Sequence, residues 1–343
     1  MKNPFTLTLA CAILAASAQA ITVTTNVSYN SQGGTDTVLD VYIPDQAPPF
    51  LLPTIVNIHG GGFVGGDKSQ VSAFCAQLAR RGHPVVNINY TLATEEAASH
   101  PQAVRDVKAA IRWARTAGII QYRLSRNIIL VGQSAGGTLA MLAAASNGVG
   151  FFNPQGMPPA GGYGVQGCVS MWGLSDMIWH VETLGQTENL ETYFGVPLTP
   201  STTSLYASGS AVSYAGSCDP PFAFFHGNED TLVPYQHSTF MAEALRPYGI
   251  HAEVVIQDGA GHGFEDFGGQ TVTANLVAAA ITELRDSRNP ADFNRDGGVD
   301  GSDVSAFFTT WEAGDSDADI NGDGAVDGED VEAFMVTWEN GGC

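Results

Sequence analysis

The sequence predicts an α/β fold, in which helices cover both faces of a mostly parallel sheet. Two patterns between residues 21 and 288 lead to this prediction: short β-branched segments alternate with amphipathic helices, and the strand segments are almost uniformly apolar. Strands of a parallel sheet are buried on both faces and therefore form continuous apolar runs. The length of 343 residues leaves room for a second, smaller domain.

Six segments have the character of core strands, and five have the spacing of amphipathic helices. The predicted strands are Thr54–Ile58, Pro84–Asn89, Ile128–Val131, Val165–Met171, Phe222–Phe225 and His251–Ile256. The predicted helices are Ser69–Arg81, Pro101–Thr116, Ala135–Ala145, Ser238–Tyr248 and Thr271–Asp286. An antiparallel edge hairpin is expected over Val23–Ile43, with Gly33 and Gly34 at its turn.

One segment interrupts this alternation. Residues from about Leu174 to Tyr214 are rich in Ser, Thr and Gly, with scattered aromatic residues. An insertion between two core strands is a natural place for a lid or a substrate wall, and it is equally consistent with an ordinary surface excursion.

Residues 1–20 have the pattern of a secretory signal peptide. Lys2 precedes an apolar stretch from Phe5 to Ala16, and Ala18-Gln19-Ala20 is a small-x-small cleavage site. The apolar stretch is too short to span a bilayer, and no other segment is long and apolar enough to do so. We therefore expect an exported protein, extracellular or periplasmic, with no membrane span.

Export makes disulfides possible. Four cysteines follow the predicted cleavage site: Cys75, Cys168, Cys218 and Cys343. Cys168 and Cys218 each come close to the start of a predicted core strand, so we predict a disulfide between them; two buried free thiols are the alternative. Cys343, which follows two glycines at the end of the chain, is a candidate tethering point.

The net charge of −21 argues against nucleic acid or an anionic membrane as a partner, because both would be repelled. The charge is uneven: residues 291–343 contain 14 of the 35 acidic residues and a single basic one, Arg295. Acidic side chains at this density repel one another unless they are exposed to water or neutralised by bound cations.

The strongest functional motif is Gly132-Gln133-Ser134-Ala135-Gly136. It follows the predicted strand Ile128–Val131 and opens an alanine-rich helix, which is the strand–turn–helix setting of a nucleophile elbow. The turn is tight, so its flanking positions require glycine. This motif predicts that the Ser134 hydroxyl is lifted off the edge of the sheet.

A second motif, His59-Gly60-Gly61-Gly62-Phe63, directly follows the strand Thr54–Ile58. Consecutive glycines let a backbone approach a substrate closely and turn its N–H groups toward one point. Such donors stabilise the oxyanion of a tetrahedral intermediate. A phosphate-binding loop is disfavoured, because neither G-x-G-x-x-G nor Gly-Lys-Ser/Thr is present.

Together, HGGGF and GQSAGG about seventy residues later make the chain resemble the hormone-sensitive-lipase-like esterases of the α/β-hydrolase fold, from roughly Leu39 to Leu284. The resemblance implies an acidic residue and then a histidine after the serine. The segment FFHGNED matches the family's HGxxD pattern and offers Asp230; the segment GAGHGF matches its GxxHGF turn and offers His262. The residues that would supply the oxyanion hole are Gly61, Gly62 and Ala135.

The same roles follow from chemistry. A serine hydroxyl is a weak nucleophile that needs a base within hydrogen-bond reach, and the imidazole must be oriented by a carboxylate. Glu229 and Asp176 are the rivals of Asp230, as solvated or capping carboxylates. Five histidines that compete with His262 for the role of the base are predicted to be surface or helix-end residues: His83, His100, His180, His237 and His251. No cofactor is expected for catalysis.

The chain also departs from that family, since only about twenty mature residues precede the first core segment, where members often carry a helical cap. A more open pocket would admit a bulkier substrate than a small soluble ester, such as acetylated or feruloylated xylan. The sequence does not choose between these polysaccharides, synthetic polyesters and simple alkyl esters. A subgroup with a similar His-Gly-Gly loop hydrolyses formyl-kynurenine, so an arylformamidase-like enzyme is one alternative. A catalytically silent adhesion or scaffold-docking protein is the other.

The acidic C-terminal part, residues 289–343, contains one pattern twice, 27 residues apart. Oxygen-bearing side chains at positions 1, 3, 5, 9 and 12, with glycine at position 6, are the loop chemistry of calcium coordination. The predicted Ca²⁺ ligands are Asp292, Asn294, Asp296, Asp300 and Asp303 in the first copy, and Asp319, Asn321, Asp323, Asp327 and Asp330 in the second.

Each loop is followed by an amphipathic segment, Val304–Trp311 or Val331–Trp338, and neither is preceded by a helix. This arrangement resembles a dockerin, a small all-α module, and implies structural calcium. Dockerins commonly carry small hydroxyl residues at positions 10 and 11 to bind a cohesin, where this chain has Gly301-Ser302 and Gly328-Glu329. A cohesin-like partner and another cell-surface attachment therefore both stay open. The predicted domains are a signal peptide (1–20), an esterase domain (21–288) and this module (289–343).

Overall fold

The structure is a computed structural model that describes residues 20–30, 37–45, 52–154, 163–185, 188–286, 291–294, 299–315, 318–321 and 325–341. Residues 1–19 of the predicted signal peptide, the hairpin turn at Gly33 and Gly34, the candidate ligands Asp296 and Asp323, and the candidate tethering point Cys343 lie outside these residues.

Eight strands form one sheet in the order β1-β2-β4-β3-β5-β6-β7-β8. The strands are β1 (Ile21–Ser28), β2 (Val38–Pro44), β3 (Thr54–Ile58), β4 (Val85–Ile88), β5 (Ile128–Gln133), β6 (Gly167–Met171), β7 (Phe222–Gly227) and β8 (Ala252–Gln257). The pairs β1–β2 and β2–β4 are antiparallel, and all other neighbours are parallel. The mostly parallel sheet is confirmed, and the predicted antiparallel strands, β1 and β2, lie at its edge.

Helices lie on both faces of the sheet. Those of the first 286 residues are α1 (Ser72–Ala79), α2 (Gln102–Trp113), α3 (Ile119–Tyr122), α4 (Ala135–Ala145), α5 (Met177–Leu184), α6 (Glu188–Phe194), α7 (Thr203–Ser208), α8 (Gln236–Leu245) and α9 (Gln270–Asp286). Three of them, α5, α6 and α7, fold from the inserted segment that had no predicted elements. Among the described residues, no helix is long and apolar enough to cross a bilayer.

The core is divided by the sheet into two layers. Successive residues of a strand point to opposite faces, and accordingly Ile129 packs with α1 and α9 whereas Leu130 packs with α2, α4 and α8. Helix α4 is buried along its whole length because its alanines and glycines let it lie close to β5 and β6. The site motifs therefore stand on fixed elements.

The predicted disulfide between Cys168 and Cys218 is wrong. Cys168 lies within β6, is fully buried and is a free thiol, as is the buried Cys75. Cys218 lies four positions before β7 begins, is exposed and is disulfide-bonded, but not to Cys168. One sulfur faces the core and the other faces solvent, so the two do not meet. Burial raises the pKa of both free thiols, which keeps them protonated and inert.

The C-terminal part contains two helices, α10 (Gly301–Glu312) and α11 (Gly328–Gly341). Their shared core is centred on Phe307 and Phe334, whose rings stack with centroids 4.2 Å apart and are both fully buried. The helices make reciprocal contacts: Trp311 Nε1 donates to the Asp327 carbonyl at 2.7 Å, and Trp338 Nε1 donates to the Asp300 carbonyl at 3.1 Å. The sequence repeat is therefore also a structural repeat.

Candidate active site

Ser134 occupies a strained turn between β5, which ends at Gln133, and α4, which begins at Ala135. Its φ of 52° lies in the left-handed region that residues with a Cβ avoid. Two glycines make the turn possible: a Cβ on Gly132 would collide with the Gly136 carbonyl, and one on Gly136 would collide with the backbone at Ile58. This is the geometry of a nucleophile elbow.

The structure places three predicted residues from three loops in one hydrogen-bonded chain. His262, in the loop after β8, has its Nε2 at 2.9 Å from Ser134 Oγ. Its Nδ1 lies 2.6 Å from Oδ2 of Asp230, which follows β7. Because a carboxylate only accepts, Nδ1 holds the imidazole proton, and Nε2 is left to accept the proton of the serine hydroxyl.

Asp230 is held as an anion. Burial opposes its ionisation, but hydrogen bonds from His226 and His262 and from the Val233 N–H outweigh it and keep the pKa of Asp230 well below its usual range. The rival carboxylates lie elsewhere. Glu229 is exposed, and Asp176 caps helix α5 by accepting the N–H groups of Ile178 and Trp179.

The glycine loop lies directly against the nucleophile. A Cβ on Gly60 would lie only 3.1 Å from the Cβ of Ser134. Gly61 and Gly62 have φ values of 131° and 61°, which turn the backbone as only glycine does readily. Ala135 is the first residue of α4, and the first N–H groups of a helix have no intrahelical acceptor. The three predicted oxyanion residues thus line the same pocket as Ser134.

His59 stabilises the glycine loop through contacts of its ring and its carbonyl group. Its Nδ1 lies 2.7 Å from the Gly60 carbonyl, and its ring stacks on Tyr90 at 4.6 Å. Tyr90 in turn donates its hydroxyl to the His59 carbonyl at 3.1 Å. Burial lowers the pKa of His59, so the ring is a neutral structural group.

We expect Gly61→Ala to lower kcat by about 10²- to 10³-fold, the usual cost of losing one oxyanion donor. The added Cβ would meet the Gly65 carbonyl, and alanine does not readily keep the φ of 131°, so the loop must move. Gly65→Ala is the matched control, since a Cβ there makes only an ordinary contact, 3.8 Å from the Gly61 carbonyl. The assay is p-nitrophenyl acetate hydrolysis with a thermal melt of each variant; equal kcat for the two variants would contradict the expectation.

A pocket of about 860 Å³ opens at Ser134 and His262. One wall of the pocket comes from the inserted segment, for which the sequence left three roles open: a lid, a substrate wall or a surface excursion. The residues of this segment that line the pocket are Leu174, His180, Gly185, Glu188, Asn189 and Leu190. Aromatic and aliphatic side chains form much of the remainder, including Phe63, Val71, Trp172, Leu232 and Phe264. The pocket thus combines apolar surface with a few polar groups, as ligand sites usually do.

Trp172 is a pocket residue that the motifs did not reveal. It directly follows β6, has a φ of 44°, and meets the His262 ring edge-on with centroids 6.2 Å apart. A tryptophan at the carboxyl end of a central parallel strand is a usable signal, because ligands bind at that edge of the sheet.

His83, predicted to be a surface or helix-end residue, is buried between α1 and β4. The same interpretation of His180 is wrong, and His237 is at a helix end, as the second residue of α8, but is not at the surface. His180 is only 4% exposed and lines the pocket, and His237 is fully buried behind it. Each lies on a short amphipathic helix whose packing partner comes from a distant part of the chain, which sequence periodicity does not identify.

Known proteins share this architecture. The family model described as BD-FAE matches residues 39–245, more than half of the chain. Esterase LipQ and Esterase LipC of Mycobacterium tuberculosis are 29% and 26% identical over 76% and 73% of this chain. The chain spans 61% and 63% of the length of these two curated relatives.

Solved structures agree with the sequence matches. A truncated carbohydrate esterase from gut microbiota superposes with a TM-score of 0.69 at 25% identity, over 78% of this chain and 98% of that one. A bifunctional GH43-CE protein of Bacteroides eggerthii gives a TM-score of 0.68 at 28% identity, over 77% of this chain and 35% of that one. These likenesses support the predicted α/β-hydrolase fold and a carboxylic ester hydrolase.

Proposed function

We propose that this chain, which belongs to the BD-FAE family, is an exported serine carboxylesterase that cleaves acyl groups from bulky, oxygen-rich alcohols such as acetylated or feruloylated xylan. The observation that carries the proposal is the chain of hydrogen bonds from Ser134 through His262 to Asp230, at the base of a pocket of about 860 Å³. A histidine base beside a serine is the arrangement that makes a hydroxyl nucleophilic near neutral pH.

In the proposed reaction, Ser134 Oγ attacks the ester carbonyl while His262 Nε2 takes the hydroxyl proton. The resulting imidazolium is stabilised by the Asp230 carboxylate. When the tetrahedral intermediate collapses, the carbon–oxygen bond to the alcohol breaks and His262 returns the proton to the departing alkoxide. A water molecule then gives a proton to His262 and attacks the acyl-enzyme carbonyl. The bond between the acyl carbon and Ser134 Oγ breaks, His262 returns the proton to Oγ, and the carboxylic acid is released.

The negative charge on the former carbonyl oxygen is assigned to the N–H groups of Gly61, Gly62 and Ala135. These residues line the pocket next to Ser134. Fixed donors in a site partly closed to water lower the barrier most effectively, because they need no reorganisation during the reaction.

The size and polarity of the pocket support the substrate class. About 860 Å³ is ample for an acyl group together with part of a sugar chain, and polar side chains stand among its apolar walls. Two of the structural neighbours are a carbohydrate esterase from gut microbiota and a bifunctional GH43-CE protein. Export also suits a polymeric substrate, because polysaccharides cannot enter a cell intact.

The test is labelling with a fluorophosphonate, followed by peptide mass spectrometry and a panel of acetylated and feruloylated xylo-oligosaccharides. We expect one adduct, on Ser134, and release of acetate or ferulate. Absence of an adduct together with absence of hydrolysis would favour a silent adhesion or docking protein. Turnover of formyl-kynurenine in preference to esters would favour the arylformamidase-like alternative.

We further propose that residues 289–343 form a dockerin-like module that binds structural calcium and attaches the enzyme to a cohesin-like or other cell-surface partner. Equivalent contacts in the two halves support the module. Asp303 accepts from the N–H groups of Asn294 and Asp300 at 2.9 and 2.8 Å. Asp330 accepts from those of Asn321 and Asp327 at 3.2 and 2.9 Å.

The donor set fits calcium, since the candidate side chains are all carboxylates or amides and Ca²⁺ takes six to eight oxygen ligands. Within the described residues no three such carboxylates converge, and Asp296 and Asp323, one from each loop, fall outside them. The proposed ligands are therefore those of the repeat: Asp292, Asn294, Asp296, Asp300, Asp303, Asp319, Asn321, Asp323, Asp327 and Asp330.

We expect the protein to bind about two Ca²⁺ per chain, one per loop, measured by calorimetry and elemental analysis. Asp303→Asn and Asp330→Asn should each remove one site, while Glu312→Gln, at the end of α10 and outside both loops, should remove none. Chelation should loosen the module, seen as faster proteolysis of α10 and α11, and leave ester hydrolysis intact. Full protease resistance without calcium would count against the module.

A further inference from the structure

His180 is a buried polar side chain in the pocket wall. It is the fourth residue of α5, a helix whose first turn is capped by Asp176. The side chain is 4% exposed and contributes to the lining of the pocket. In the mechanism above it has no assigned part.

Behind His180, His237 has a defined tautomer. Its Nδ1 lies 3.2 Å from the Ser175 backbone nitrogen and 3.4 Å from that of Asp176. Both of these groups are N–H donors, so Nδ1 of His237 must accept. The proton of the neutral ring is therefore on Nε2.

The tautomer of His237 determines that of His180. His237 Nε2 lies 3.1 Å from His180 Nδ1, so the His237 N–H donates and the His180 nitrogen accepts. His180 then carries its own proton on Nε2, the ring nitrogen that is not engaged by His237, and the residue lines the pocket. Protonation of either ring at the shared contact would set two N–H groups against each other.

Burial keeps the pair neutral. It lowers the pKa of His180 to about 4 and that of His237 to about 3, so both rings are uncharged at neutral pH. A neutral imidazole with a fixed tautomer is a directional donor, and it does not compete with His262 as a base.

The neighbouring polar residues indicate what such a donor binds. Glu188 and Asn189 line the same wall of the pocket. A carboxylate accepts from hydroxyl groups, and an N–H donates to hydroxyl or ether oxygens, so the wall matches a polyhydroxylated group. An acetyl group has no such oxygen beyond its carbonyl, which the oxyanion loop receives, whereas a sugar has several.

We infer that His180 is a specificity residue whose Nε2–H donates to a hydroxyl or ring oxygen of the sugar alcohol, and that His237 positions it by fixing its tautomer. This inference rests on the proposed function. The inference assigns to the His180 imidazole the discrimination between a carbohydrate ester and a simple alkyl ester in this pocket.

Two matched substitutions separate the binding role of His180 from a structural one. His180→Asn places an amide oxygen near the original Nδ1, where it can still accept from His237, but it removes the pocket donor. His180→Gln places an amide nitrogen near the original Nε2 and keeps that donor. The exposed His251 is replaced by asparagine as the control.

The readout is kcat/KM for acetylated xylotriose relative to that for p-nitrophenyl acetate. We expect this ratio to fall about tenfold in H180N, the effect of one neutral hydrogen bond, with most of the change in KM. The ratio should stay within about threefold of wild type in H180Q and be unchanged in H251N. An unchanged ratio in H180N, or a tenfold fall in H180Q as well, would overturn the inference.

A second measurement does not depend on turnover. Nitrogen-15 chemical shifts of the imidazole rings in the full-length protein should show His180 and His237 both protonated on Nε2 alone at pH 6. A His180 ring protonated on Nδ1 would overturn the inference and leave the esterase proposal standing. If wild type cleaves p-nitrophenyl acetate but no carbohydrate ester, the sugar contact is likewise overturned, whereas absence of any hydrolysis overturns the proposed function itself.

Discussion

Ser134→Ala is expected to abolish ester hydrolysis, with kcat for p-nitrophenyl acetate falling by about 10⁵- to 10⁶-fold. The substitution removes the only atom of the site that forms the covalent bond, and His262 Nε2, now 2.9 Å from an empty position, has no hydroxyl to activate. Because serine and alanine share the same Cβ, the turn at φ 52° is preserved.

The control for Ser134→Ala is Ser201→Ala, an exposed hydroxyl in the inserted segment. That variant should keep wild-type kcat. Circular dichroism should be the same for all three proteins, and the Tm of S134A should lie within about 2 °C of wild type. Substantial residual turnover in a folded S134A protein would exclude Ser134 as the nucleophile.

Asp230→Asn should lower kcat by about 10⁴-fold. An amide at this position can donate to Nδ1 of His262, which shifts the ring proton to Nε2 and blocks proton transfer from Ser134. Asparagine also cannot stabilise the imidazolium that forms during attack. The loss should be in kcat, because the pocket walls that bind substrate are unaltered.

The adjacent Glu229 offers a matched control, since it is exposed whereas Asp230 is 6% exposed. Glu229→Gln removes a carboxylate one position away and should change kcat by less than about twofold. If the two variants lost activity equally, or Glu229→Gln lost more, the identity of the acid would have to be reassigned.

The elements nearest the chemistry were predictable because they are specified locally. Strand β3 and helix α4 begin and end where the sequence places them, since each is a continuous apolar or alanine-rich run bounded by glycine motifs. The GQSAG and HGGGF motifs are also local, and their position at the ends of parallel strands brings them to one edge of the sheet. The hydrogen-bonded partners Asp230 and His262 followed from motif resemblance.

What the sequence did not predict depends on long-range contacts. Helices α5, α6 and α7 are short, and helices of that length form only through packing against the rest of the protein. The pairing of His180 with His237 joins residues 57 positions apart. The incorrect prediction of a disulfide between Cys168 and Cys218 has the same origin. A position near a strand in the sequence does not determine whether the side chain points into the core or toward solvent.

In the C-terminal repeat, the tryptophan of each helix, α10 or α11, donates a hydrogen bond to the loop of the other half. The Trp311 indole donates to the second loop and the Trp338 indole donates to the first, while the rings of Phe307 and Phe334 stack on each other and both contact Phe293. Neither half holds a complete set of contacts for its own loop. A single copy cut away from its twin should therefore be unfolded, and evolution by duplication would have had to begin from a symmetric pair of chains.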